Sequence, residues 1–204
     1  MAVVSNGTTL IDAGALGASA GAGKLTLIKT LTASSSSTLS FVHGASSVVL
    51  DGTYDSYIFK FINIHPSADD VFIGHQGDVN GGSSYAQTCT NTMFYARHGE
   101  SGSPADMAVY ASDDQAQGTD INKMAQLGAG SDECGSGHLQ IFNPSSTTFV
   151  KHFISDMSGY HPSDQNMRIF NAGYYNTSSA LNTFRFKMTS GNIDAGTIKL
   201  YGVG

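Results

Sequence analysis

Charge is scarce in this chain. Asp, Glu, Lys and Arg make up 13% of its 204 residues, about half the share of an ordinary soluble domain. No cluster of Lys or Arg occurs and the formal net charge is −6, which argues against a phosphate-backbone partner. No run of eighteen apolar residues is present, so no membrane-spanning helix is expected. The first residues lack the basic and continuously apolar regions of a secretory leader. With synthesis in a reducing cytosol, Cys89 and Cys134, the two cysteines, are expected to stay thiols.

Where charge is missing, Gly, Ser, Thr and Asn take its place, with 24 glycines in all. That composition describes a turn-rich β protein with a polar but weakly charged surface. Such a surface packs readily against other protein, because few charges must be desolvated.

Residues 1–23 (MAVVSNGTTLIDAGALGASAGAG) carry one charge, Asp12, and no sustained period. A stretch like this cannot bury enough surface to fold alone. It reads either as a loose tail or as an N-terminal arm that orders on a neighbouring subunit through Val3, Val4, Leu10, Ile11 and Leu16. From residue 24 the period becomes two. KLTLIKTLT sets Leu25, Leu27 and Leu31 on one face, and TLSFVHG does the same with Leu39 and Phe41. In YIFKFINIH, Tyr57, Phe59 and Phe61 point one way and Ile58, Ile62 and Ile64 the other. Both faces are apolar, so the second needs a cover, and Tyr57, Ile58, Ile62 and Ile64 become candidate contact residues.

DDVFIGHQ follows after Pro66 and a short polar turn, as an antiparallel partner of that strand would. SSYAQTCTNTMFYAR alternates with Tyr85, Cys89, Met93 and Tyr95 in phase, and MAVYA reads as a short strand. INKMAQLG would also fit one short helical face through Ile121, Met124 and Leu127, but reads as a strand by its surroundings. GHLQIFN and TTFVKHFIS flank PSS as a hairpin. NMRIFNAGYY follows, and TFRFKM and TIKLYG close the chain as a second hairpin around SGNIDAG. Eight to ten strands at this spacing predict an all-β antiparallel sandwich or barrel, one domain over 24–204 behind the 1–23 arm.

The residues that carry chemistry elsewhere are present but poorly arranged. His65 and His75 bracket Asp69 and Asp70 without a metal-ligand spacing, and Cys134 and His138 lack a second pair. Asp69–Asp70 and Asp113–Asp114 are adjacent in sequence, a poor geometry for paired catalytic carboxylates and a common one for turns. DVNGG at 78–82 lacks the leading and closing acids of a calcium loop. No nucleophile elbow, phosphate loop or zinc-protease motif occurs. No catalytic residue, metal or cofactor is therefore expected. Tyr54, Tyr110, Tyr160, Tyr174 and Tyr175 fall in or near polar loops, where rings serve sugars or protein interfaces, or fold back as loop anchors.

Three phrases, DGTYDSYIFKFINIHPSADD (51–70), HLQIFNPSSTTFVKHFIS (138–155) and FRFKMTSGNIDAGTIKLYGVG (184–204), resemble a family of virion structural proteins of tailed bacteriophages, especially marine phages of cyanobacteria. The resemblance implies a jelly-roll sandwich, a homotrimer, and a place on the particle exterior after assembly in the host cytoplasm. The leading expectation is a capsid decoration (cement) protein that binds across major capsid protein boundaries. The alternative is a tail-fibre or lectin-like module that contacts host polysaccharide.

Overall fold

A computed structural model of the chain describes residues 25–204. Ahead of them it describes the backbone of three short strands, β1 (Val3–Ser5), β2 (Thr8–Asp12) and β3 (Ala15–Leu16), which pair antiparallel in that order. The side chains of Val3, Val4, Leu10, Ile11 and Leu16 lie outside the described residues.

The remaining strands form two antiparallel sheets, and no helix occurs among the described residues. In spatial order, the larger sheet holds β4 (Leu25–Thr32), β15 (Ile193–Val203), β6 (Ser56–Pro66), β11 (Gly135–Phe142), β12 (Lys151–His161), β13 (Gln165–Tyr175), β8 (Cys89–Gly99) and β9 (Ala105–Val109). The smaller holds β10 (Asn122–Leu127), β7 (Val71–Asp78), β14 (Thr183–Met188) and β5 (Leu39–Val42).

The core lies between them and is built by period-two alternation. Leu39 and Phe41 from β5 and Phe184, Phe186 and Met188 from β14 are buried against Tyr57, Phe59 and Phe61 from β6. Phe186 joins the layers, with its ring centroid 4.9 Å from Phe59, 5.1 Å from Phe61 and 6.1 Å from Phe41, all edge-on. Edge-to-face contacts of this kind add about 0.5–1.5 kcal/mol each beyond the area buried. A second cluster of Phe72, Met93, Met167 and Ile169 fills the space under β8 and β13, capped by Tyr95 and Tyr110.

Two expected hairpins are absent. β6 and β7 lie in different sheets, and so do β14 and β15, so the chain crosses the sandwich at 67–70 and at 189–192. Alternation tells which side chains are buried but not which strand a backbone bonds to, and both arrangements bury the same residues. Within these two sheets, the hairpins that form between consecutive strands are β8–β9, β11–β12 and β12–β13. In the β11–β12 hairpin, residues 147–150, expected as strand, belong to the connection.

Two irregularities shift side chains between faces. Asn63 adopts a positive φ of 51°, and the register with β15 and β11 slips around it. Ile64 therefore turns inward and is fully buried, rather than standing beside Ile58 and Ile62. A second slip, between Lys29 and Leu27 opposite Leu200 and Tyr201, leaves Leu25 and Leu27 facing outward while Leu31 packs on the core. The expectation that all three leucines share a face fails at this bulge.

Candidate functional site

The outer face of the eight-stranded sheet, turned away from the core, is where the chain departs most from an ordinary surface. Nine large apolar side chains are exposed among the described residues, and eight of them sit on this face. Phe149, in the connection before β12, is the ninth. Leu25 and Leu27 on β4 and Ile62 on β6 lie toward one edge; Phe142, Ile154, Phe94, Met107 and Val109 lie toward the other. Directly opposed residues on neighbouring strands share a face, so the pairings Phe94↔Val109, Phe94↔Phe170 and Ala172↔Ile154 make the second group contiguous.

This second group encloses an apolar trough. Its floor is Ala172 on β13, a small residue between larger neighbours. One wall is Tyr174, His152 and Phe142, with the Tyr174 and His152 rings 5.8 Å apart. The other is the stacked pair Phe94–Phe170, with centroids 4.9 Å apart and planes 16° from parallel. Ile154, half exposed, stands between the walls. The volume beside the Tyr174 wall is about 530 Å³, and a further volume of about 210 Å³ beside Phe94 shares Thr92, Ile154 and Ala172 with it as lining. No Lys, Arg, Asp or Glu lines either part.

An ion pair closes the trough on the side away from Tyr174. Arg168 donates Nε to Asp156 Oδ1 at 2.9 Å and Nη2 to Oδ2 at 2.6 Å, with its guanidinium 4.5 Å over the Phe170 ring. The bond from Arg168 holds the Asp156 carboxyl below its ordinary range. Beyond this pair the same face turns polar. His98, Asn166 and Tyr160 are cross-strand neighbours on β8, β13 and β12, and Ser158 pairs with Ser136. With Glu100 and Asp132 from the adjoining loops they line a basin of about 510 Å³.

The expected contact residues divide between the two sides of β6. Ile58 is half-buried on the outer face and Ile62 is exposed there. Tyr57 and Ile64 are wholly inside the sandwich and reach no partner. Tyr57 faces the core by phase, its hydroxyl donating to the Asp51 carbonyl, and Ile64 reaches the core through the Asn63 bulge. The loop tyrosines divide as well. Tyr175 is buried, Tyr54 packs edge-on against Tyr57, and Tyr110 hydrogen-bonds Gln126 over the second cluster. Tyr174 and Tyr160 line the trough and the basin.

The other candidates serve the fold. His75 is buried, its Nδ1 2.9 Å from the Tyr175 hydroxyl, and burial holds its imidazole down to about 3. His65 Nδ1 meets the Glu133 carbonyl, Asp69 accepts from Ala129 N, and Asp113 pairs with Lys123. The Asp78 carboxylate accepts from the backbone of Val79 and Gly82 and from the Ser84 hydroxyl, which spends it on the loop. Among the described residues no three His, Cys, Asp or Glu side chains converge closely enough to hold a metal ion. Cys89 is buried and Cys134 partly buried, and both are free thiols.

Sequence reasoning missed Phe94, Phe142, Ile154 and Met107. The signal was there: in CTNTMFYAR and KHFISDM, Phe94 and Ile154 are apolar residues out of phase with buried neighbours, as Ile58 and Ile62 are. Compared with known proteins, the chain matches no family model, and no curated protein or solved structure matches it.

Proposed function

We propose that this protein is a structural component of a tailed-phage particle, a decoration protein that packs the apolar trough on the outer face of its eight-stranded sheet against neighbouring capsid subunits. The observation that carries the reading is the concentration of exposed apolar side chains on that one face. An uncharged apolar trough closed on one side by the Arg168–Asp156 ion pair has the make-up of a protein contact, with a dry centre and a polar rim. The phage resemblance of the three quoted phrases supplies the particle, its exterior location and a trimeric state.

A jelly-roll reading is supported by strand order. Taken in chain order, β4, β5, β6, β7, β10, β11, β14 and β15 make eight strands. The first, eighth, third and sixth are adjacent in one sheet, and the second, seventh, fourth and fifth in the other. That is the order two interleaved Greek keys produce. The hairpins β8–β9 and β12–β13 are then insertions that widen one sheet beyond the eight-stranded body. The trough and the Tyr160 basin lie chiefly on this widened part.

The test is attachment. Tagged protein mixed with particles lacking it should co-sediment with them, and Ile154→Lys combined with Phe94→Lys should abolish co-sedimentation while the variant stays folded. A chain absent from purified native particles, or a double variant that attaches as well as the original, would overturn the proposal.

A further inference from the structure

We propose that the basin at the Tyr160 end of the outer face binds a neutral saccharide. The inference does not depend on the particle reading, since a shell protein and a fibre protein can each carry such a site.

The lining sets the ligand class. Glu100 and Asp132 in the lining, and Asp164 beside Tyr160, have no cationic partner within 4 Å among the described residues, and no Lys or Arg lines the basin. An anionic ligand is therefore repelled. A bare cation is disfavoured for a different reason, because the carboxylates, His98 and Cys134 are spread around the cavity instead of converging on a point. What suits dispersed acceptors is a ligand with dispersed hydroxyl donors.

The donor and acceptor balance agrees. Tyr160 Oη donates to Glu100 Oε1 at 3.0 Å, with Asp164 Oδ1 3.3 Å away. A phenol has one proton and each carboxylate several lone pairs, so both carboxylates keep acceptor capacity for a ligand. The hydrogen bond to Glu100, with the negative charge around it, pushes the phenol up to about 12, so it remains a donor at neutral pH. Ser158 Oγ donates to Asn166 Oδ1 at 2.8 Å, which leaves the Asn166 amide N–H groups to give to a sugar oxygen. Carboxylates, an amide, hydroxyls and a tyrosine ring around about 510 Å³ have the size and chemistry of a di- or trisaccharide site.

The experiment is an amide-resonance titration of the full chain. Its panel is glucose, galactose, mannose, N-acetylglucosamine and their disaccharides, with glucuronate, free arginine and calcium chloride as controls. At least one neutral sugar should shift the resonances of Gly99, Glu100, Ser136, Tyr160 and Asn166. The exposed double variant Ser158→Ala/Asn166→Ala should weaken that binding at least tenfold with the rest of the spectrum unchanged, and Ile154→Lys in the trough should leave it as it was. The proposal is overturned if no neutral sugar in the panel shifts these resonances. It is equally overturned if only glucuronate, arginine or calcium does, or if the double variant binds as tightly as the original.

Discussion

His75 shows how much one buried side chain can set. It sits inside the sandwich with its Nδ1 on the Tyr175 hydroxyl, its ring 4.7 Å from Phe153, and its Nε2 without a protein partner. Desolvation lowers its folded value to about 3 from 6.5. Between those values the unfolded chain binds a proton that the folded chain refuses, so stability is highest above about pH 6.5 and falls as pH drops toward 3. The slope for one such group approaches about 1.4 kcal/mol per pH unit in mid-window. His161, lowered mainly by desolvation, adds a loss of the same sign that begins below 6.5, while Asp78 and Asp156 act lower, below their ordinary 3.8. Urea unfolding at pH 7, 5.5 and 4.5 should therefore lose stability in steps, and His75→Gln should lose clearly less over that range despite a lower starting point. Parallel losses in the two proteins would show that His75 is not the group responsible.

At the scale of strands, the bulge where β6 meets β15 decides what the last strand can present. Gly196 has a φ of +115°, and a Cβ there would stand 2.6 Å from the Asn63 carbonyl oxygen and 2.8 Å from the Ile64 Cα. The paired irregularities at Asn63 and Gly196 turn Ile64 into the core. Gly196→Ala should cost about 1–3 kcal/mol from backbone strain alone, and more from the backbone contact. Gly44, at φ +79° with nothing within 4 Å of a Cβ, is the natural control. Its alanine variant should show the strain without the clash, so chemical denaturation that finds Gly44→Ala equal to or worse than Gly196→Ala would refute the contact.

The same bulge marks what the sequence could and could not say. Phe184, Phe186, Met188, Ile198 and Leu200 were legible as core, because alternation reports burial directly, and all five are buried. Their assignment to two different sheets was not legible, since a crossover and a hairpin demand the same alternation. Ile64 was misplaced because a positive φ at Asn63 leaves no mark on an apolar pattern. The second apolar face of β6 was legible in Ile58 and Ile62. Its continuation to Ile154 and Phe94 depends on strands far apart in sequence becoming neighbours, with Ile58 opposite Gln140 and Phe94 opposite Phe170, by way of β11, β12 and β13.

For the whole molecule, the consequence is an asymmetry between the two faces of one strand. Phe153 and Ile154 are adjacent on β12; the first is 1% exposed and the second 50%. If the outer face is open in the free chain, the two should answer substitution in opposite ways. Phe153→Ala removes a core ring that packs against His75 and Tyr175, and should cost about 3–5 kcal/mol. Ile154→Lys places a charge where solvent already reaches, so its unfolding free energy should stay within about 0.5 kcal/mol of the original. Its binding of an environment-sensitive apolar dye should fall, because the trough loses its central aliphatic group. Equal destabilisation by the two substitutions would mean that the trough is covered within the folded chain. A partner would then have to displace that cover before it could dock. A stable, folded Ile154→Lys protein with reduced dye binding instead leaves the face free, and loss of particle attachment in that variant cannot then be blamed on unfolding.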